Sequence, residues 1–112
     1  MVHKIIILIW IHFIADFLLQ PDVMALNKSK NIFWLLSHGV VYGATFIFFG
    51  FEFAILTALF HIGIDSITSR LTSYFWIKEK RHWFFVTIGF DQAIHITLLI
   101  VLLRRLDNGP LF

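Results

Sequence analysis

Lys4-Ile5-Ile6-Ile7-Leu8-Ile9-Trp10-Ile11-His12-Phe13-Ile14-Ala15-Asp16-Phe17-Leu18-Leu19-Gln20 is an apolar run that carries a histidine and an aspartate four residues apart. Its length approaches the roughly 20 apolar residues of a membrane-crossing helix. Pro21 follows it and, lacking an N–H and restricting its predecessor, predicts the end of the helix. The start resembles the basic and apolar regions of a signal peptide. Ala15-Asp16-Phe17, however, offers no small-residue cleavage site and further apolar spans follow, so the segment is expected to be retained.

The same character recurs along the chain. Of 112 residues, 59% are hydrophobic and 14% charged, a composition that predicts an integral membrane protein rather than a soluble domain. Apolar runs at about 4–20, 32–49, 53–68 and 83–103 predict an all-α, polytopic four-transmembrane-helix bundle, a single membrane domain over 1–112. Asp22–Asn31 reads as a connection and Gly50 as a tight turn. Ser69–His82, with Tyr74, Phe75, Trp76 and Trp83 among Lys78, Lys80 and Arg81, reads as a polar and aromatic segment at the lipid headgroups. Gly39 and Gly43, four apart, read as a close helix-packing face. The net charge of +2 comes from basic residues at the ends of apolar runs, which points to topology and away from nucleic acid. Six basic residues on one side against three on the other predict termini outside the bacterial inner membrane. With no cysteine, disulfides, thiolate zinc sites and cysteine nucleophiles are excluded.

Three acids, Asp16, Asp65 and Asp91, lie inside the apolar runs, accompanied by His12, His38, His61 and His95. Each buried aspartate costs about 2.5–3.5 kcal/mol on insertion scales, so each needs a partner. His12/Asp16, His61/Asp65 and Asp91/His95 are all four residues apart, which puts each pair on one helix face. Counted from the cytoplasmic ends at about 1.5 Å per residue, Asp16 and Asp65 lie roughly 6 Å in, and His12, His38, His61 and Asp91 roughly 10–13 Å in. One layered cluster is expected. Four imidazoles and three carboxylates suit one or two divalent ions of zinc, manganese or iron. Seven ligands exceed the need of one tetrahedral ion, so either two ions bind or some aspartates orient histidines. Gln20 and Gln92 are candidates for hydrogen bonds to the acids, and Lys28 and Arg70 for a phosphate headgroup. Ile11–Asp16 and Phe60–Asp65 also form a faint internal repeat.

The ordered set His12-x-x-x-Asp16-Phe17-x-x-Gln20, Lys28, His38 with Tyr42, His61-x-x-x-Asp65 and Asp91-Gln92-x-x-His95 resembles the small bacterial and phage membrane proteins grouped as domain of unknown function three thousand three hundred and seven. The resemblance covers nearly the whole chain and implies a polytopic membrane protein, without implying a reaction. The family often carries a lysine shortly after the third motif, where this chain has Ser66, Thr68, Ser69 and Arg70. A looser similarity to predicted membrane-bound metal-dependent hydrolases points toward hydrolysis.

The leading expectation is a hydrolase acting on a lipid or lipid-linked phosphate or ester at the cytoplasmic leaflet. In it the histidines hold metal, and Asp65 or Asp91 accepts the proton of an activated water. The alternatives are a metal-ion or proton transporter, and a non-enzymatic phage or bacterial membrane factor whose cluster is structural. The expected partner is membrane lipid, and the aromatic surfaces are compatible with a homodimer.

Overall fold

The computed structural model describes residues 2–20, 27–28 and 30–106. Pro21 and most of the Asp22–Asn31 connection lie outside the described residues. The described chain is all-α, with no strand. Helix α1 (Val2–Phe13) continues into a π turn at Ile14–Leu18; α2 (Ile32–Thr45) continues into a 3-10 turn at Ile47–Phe49; α3 spans Phe51–Ile77 and α4 Arg81–Leu106.

Local chemistry sets these boundaries. Asn31 caps α2, its side chain accepting from Phe33 N at 2.9 Å. Gly50 has φ +108°, a conformation that side-chain-bearing residues rarely adopt, and it turns the chain into α3. The polar residues after Thr68 do not end α3; the helix runs nine residues further, to Ile77. Thr72 Oγ1 bonds back to Ser69 O at 2.9 Å, and the Thr68 hydroxyl is taken up by Asp91 on α4, so these two residues stay helical without needing solvent. Glu79, at φ 57°, then stops the helix: Lys80 N donates to Phe75 O and Glu79 N to Trp76 O, the paired bonds of a Schellman end. Arg81 fastens the turn, donating to Trp76 O at 2.7 Å with its guanidinium 3.8 Å from the Trp76 ring centre. The expected Ser69–His82 headgroup segment is therefore mostly helix, and Lys78–Lys80 is what remains of the connection.

The distribution of polarity is inverted relative to a soluble protein. His12, Asp16, His38, His61, Asp65, Asp91 and His95 are all buried, whereas Ile6, Trp10, Phe33, Val40, Leu59, Ile67 and Phe90 face outward. The apolar core sits at one end of the bundle, where Leu8, Phe46, Phe53, Leu99 and Leu103 pack together. Helices α3 and α4 are long and apolar enough to cross a membrane, and α2 is a shorter apolar helix. Because the α3–α4 hairpin is longer than expected, Asp65 lies 12 residues before the end of α3. That is about 18 Å rather than 6 Å from it.

At two turns of α2, Gly39 and Gly43, the helix backbone itself meets α3 with no α2 side chain between. A Cβ on Gly43 would stand 2.7 Å from Ala58 Cβ and 2.9 Å from Ala54 O, and one on Gly39 would overlap Ile62. Gly43→Val is expected to destabilise the bundle by about 1–3 kcal/mol through overpacking. Gly63→Ala, where nothing lies within 4 Å, should be neutral or gain up to about 1 kcal/mol from helix propensity. Thermal unfolding in detergent micelles separates the two.

Candidate metal centre

Each helix brings one part of the centre. The π turn closes with Leu19 N donating to Ile14 O, and it places Asp16 inward, one turn after His12. Gln20 Nε2 donates to the Asp16 carbonyl at 3.2 Å, so this glutamine holds the wide turn rather than the carboxylate. Helix α2 supplies His38 and Tyr42, α3 supplies His61, Asp65 and Thr68, and α4 supplies Asp91, Gln92 and His95.

Four ligand atoms converge. His38 Nε2 lies 3.0 Å from Asp16 Oδ1, 3.4 Å from Asp65 Oδ2 and 2.8 Å from His61 Nε2. His61 Nε2 lies 3.5 Å from Asp16 Oδ1 and 3.3 Å from Asp65 Oδ2. A tetrahedral ion with nitrogen and oxygen donors at about 2.0 Å requires donor separations of about 3.3 Å, so the spacing and the donor chemistry both fit. These buried groups can hold a metal ion.

The rings are oriented by packing more than by hydrogen bonds. Among the described residues, His38 Nδ1 and His61 Nδ1 find no hydrogen-bond partner, although metal-binding histidines usually donate from the second nitrogen. The His61 ring instead lies flat on Tyr42, with centroids 3.8 Å apart and planes 10° from parallel. His12 stands outside the four-donor set. Its Nδ1 is hydrogen-bonded to Tyr42 Oη at 2.6 Å and its Nε2 to Gln92 Oε1 at 2.7 Å. Gln92 Nε2 donates to Asp16 Oδ2 at 2.8 Å and to Asp91 Oδ2 at 3.2 Å, while Thr68 Oγ1 donates to Asp91 Oδ1 at 2.6 Å. His95 faces two acids, with Nδ1 3.3 Å from Asp91 Oδ2 and Nε2 3.8 Å from Asp65 Oδ1.

Asp16, Asp65 and Asp91 form part of the wall of a cavity of about 520 Å³. Lys28, Lys30, Gln20, Gln92 and the hydroxyl residues Thr68, Ser69, Thr72 and Ser73 supply its other polar lining, and Phe17, Trp76, Ile77, Phe84 and Ile88 its apolar lining. Lys28 Nζ donates to Asp65 Oδ2 at 2.9 Å, and so meets the centre itself. Arg70 is exposed and is not among the cavity residues.

Spacing along the chain singles out the seven histidines and aspartates but not Thr68 or Lys30, and Tyr42 enters only through the family motif. Tyr42 is one turn after His38 and Thr68 is three residues after Asp65. Facial periodicity therefore held the signal, although neither residue type announces a site on its own.

A helical bundle with an inward-facing histidine–aspartate centre at a cavity is the class that this geometry defines. Within that class, the chain belongs to the family described as Protein of unknown function (DUF3307), whose model matches residues 5–108. No curated protein and no solved structure matches it.

The link from His12 to Tyr42 is testable apart from any metal. Tyr42→Phe and His12→Gln, made singly and together, should show a coupling of about 0.5–3 kcal/mol in a thermal unfolding cycle. Additive effects would mean that the hydrogen bond is not made.

Proposed function

We propose that this protein is a membrane-embedded, metal-dependent hydrolase acting on a lipid or lipid-linked phosphate or ester. The observation that carries the reading is the set of four donors, Asp16, His38, His61 and Asp65, two of which line a cavity that combines ammonium groups, hydroxyls and aromatic walls. A buried polar centre under an apolar outer surface is what a bilayer, acting as solvent, selects. In this reading all four helices lie in the membrane, with the π and 3-10 turns lengthening α1 and α2 to 17 and 18 residues.

The cavity suggests the substrate. Lys28 and Lys30 attract an anionic headgroup, and the Ser69 hydroxyl, without a partner among the described residues, offers a donor beside it. Trp76, Ile77, Phe84 and Ile88 receive an acyl or prenyl chain entering from the lipid side. A divalent ion held by the four donors supplies Lewis-acid polarisation of the scissile group and activation of water. Asp65 and Asp91, which line the cavity, each keep a carboxylate oxygen outside the four-donor set to accept a proton. The apolar packing of Leu8, Phe46, Phe53, Leu99 and Leu103 beyond the centre supports a one-sided site over a path across the membrane.

Protein purified in detergent without added metal is expected to carry zinc, manganese or iron, and His38→Ala with His61→Ala to lose it, as read by elemental analysis. Against a panel of lipid phosphates and esters in mixed micelles, the loaded protein should release phosphate or fatty acid. Removing either histidine should lower the rate by about 10²-fold or more, the scale of lost electrostatic stabilisation at a reacting group. A metal-loaded protein with no turnover across the panel would overturn the enzymatic reading. The membrane reading predicts that the chain resists extraction by alkaline carbonate and is released by detergent.

A further inference from the structure

Asp16 presents its two oxygens to two different groups of side chains. Oδ1 belongs to the four-donor set, within 3.5 Å of both His38 and His61 Nε2. Oδ2 accepts from Gln92 on α4, and Asp16, Asp91 and His95 form a second cluster in which one ligand atom from each lies within 4.8 Å of the others. His95 is 3% exposed, and neither of its ring nitrogens has a hydrogen-bond partner among the described residues. An imidazole this buried, facing carboxylates and making no hydrogen bond, has the environment of a ligand and not of a packing residue.

What stands between the two carboxylates is the Gln92 carboxamide, its nitrogen 2.8 Å from Asp16 Oδ2 and 3.2 Å from Asp91 Oδ2. A half-turn of that group exchanges a donor for an acceptor and directs Oε1 to the same place. Its nitrogen then meets His12 Nε2, which accepts while His12 Nδ1–H donates to Tyr42 Oη. The exchange keeps both hydrogen bonds to His12 by switching its tautomer, with the Tyr42 hydroxyl turning from donor to acceptor. On the acid side it replaces a bridging N–H by a third oxygen donor.

Building on the metal-dependent reading above, we infer a second divalent-cation site formed by Asp16 Oδ2, Asp91 Oδ2, Gln92 Oε1 and His95, with Asp16 bridging it to the first. The two sites differ in chemistry. Two imidazoles and two carboxylates suit zinc, whereas three oxygens and one imidazole suit a harder ion such as manganese. Asp91 is then a ligand, which leaves Asp65 as the proton acceptor at the cavity.

Full-length protein in detergent, stripped by a chelator and titrated with manganese chloride, tests this. The wild type is expected to bind two ions per chain, with an exchange-coupled manganese signal in electron paramagnetic resonance. Asp91→Asn, which can still engage Thr68 and Gln92, and His95→Gln should each bind one ion with an uncoupled signal. His38→Ala with His61→Ala should retain only the manganese of the second site. A wild type that binds a single ion, lost with His38 and His61, overturns the second site and leaves the first intact, whether or not the Asp91 and His95 variants fold. Two ions still bound by both of those variants also overturn it. No ion bound to the wild type overturns the metal reading itself.

Discussion

A carboxylate or imidazole taken out of water has to be answered by another polar group, and the middle of this bundle is built to satisfy that demand. Its three aspartates are met by histidines, Gln92, Thr68 and Lys28, each from a different turn or helix. No helix can leave without stripping partners from at least one other. The buried polar network therefore specifies which helix faces meet, more tightly than apolar surfaces alone would.

Much of this was legible in the chain. Three acids in apolar runs are expensive anywhere but in a shared interior, and the spacing of four between His12 and Asp16, His61 and Asp65, and Asp91 and His95 fixed the face on which each pair would be found. The extent of α3 was not legible, because Thr68–Ser73 reads as a loss of hydropathy. Hydroxyls that bond to their own helix have no need of a loop, and a hydropathy profile does not distinguish a hydroxyl turned back on its carbonyl from one reaching for water. Depths counted from assumed helix ends inherited the same error, although the side chains they concerned do meet.

The roles within the cluster were harder still to foresee. Lys28 reads as a cation at the mouth and, besides lining the cavity, holds Asp65, while Arg70, from the same helix as Asp65, is exposed and outside the cavity. Tyr42 links two histidines at once, by its hydroxyl to His12 and by its ring face to His61, a double duty that depends on helix rotation and not on residue type.

The glycine contacts between α2 and α3 reach further than packing. Gly39 and Gly43 seat one helix in the other only a few residues from His38 and His61, whose facing nitrogens are 2.8 Å apart. A slip of one helical turn along that seam, about 5.4 Å, would leave neither imidazole opposite its counterpart. The seam thus works as a vernier: residues that carry no chemistry set the separation of those that do, and bulk added there would retune the centre without touching any of its donors.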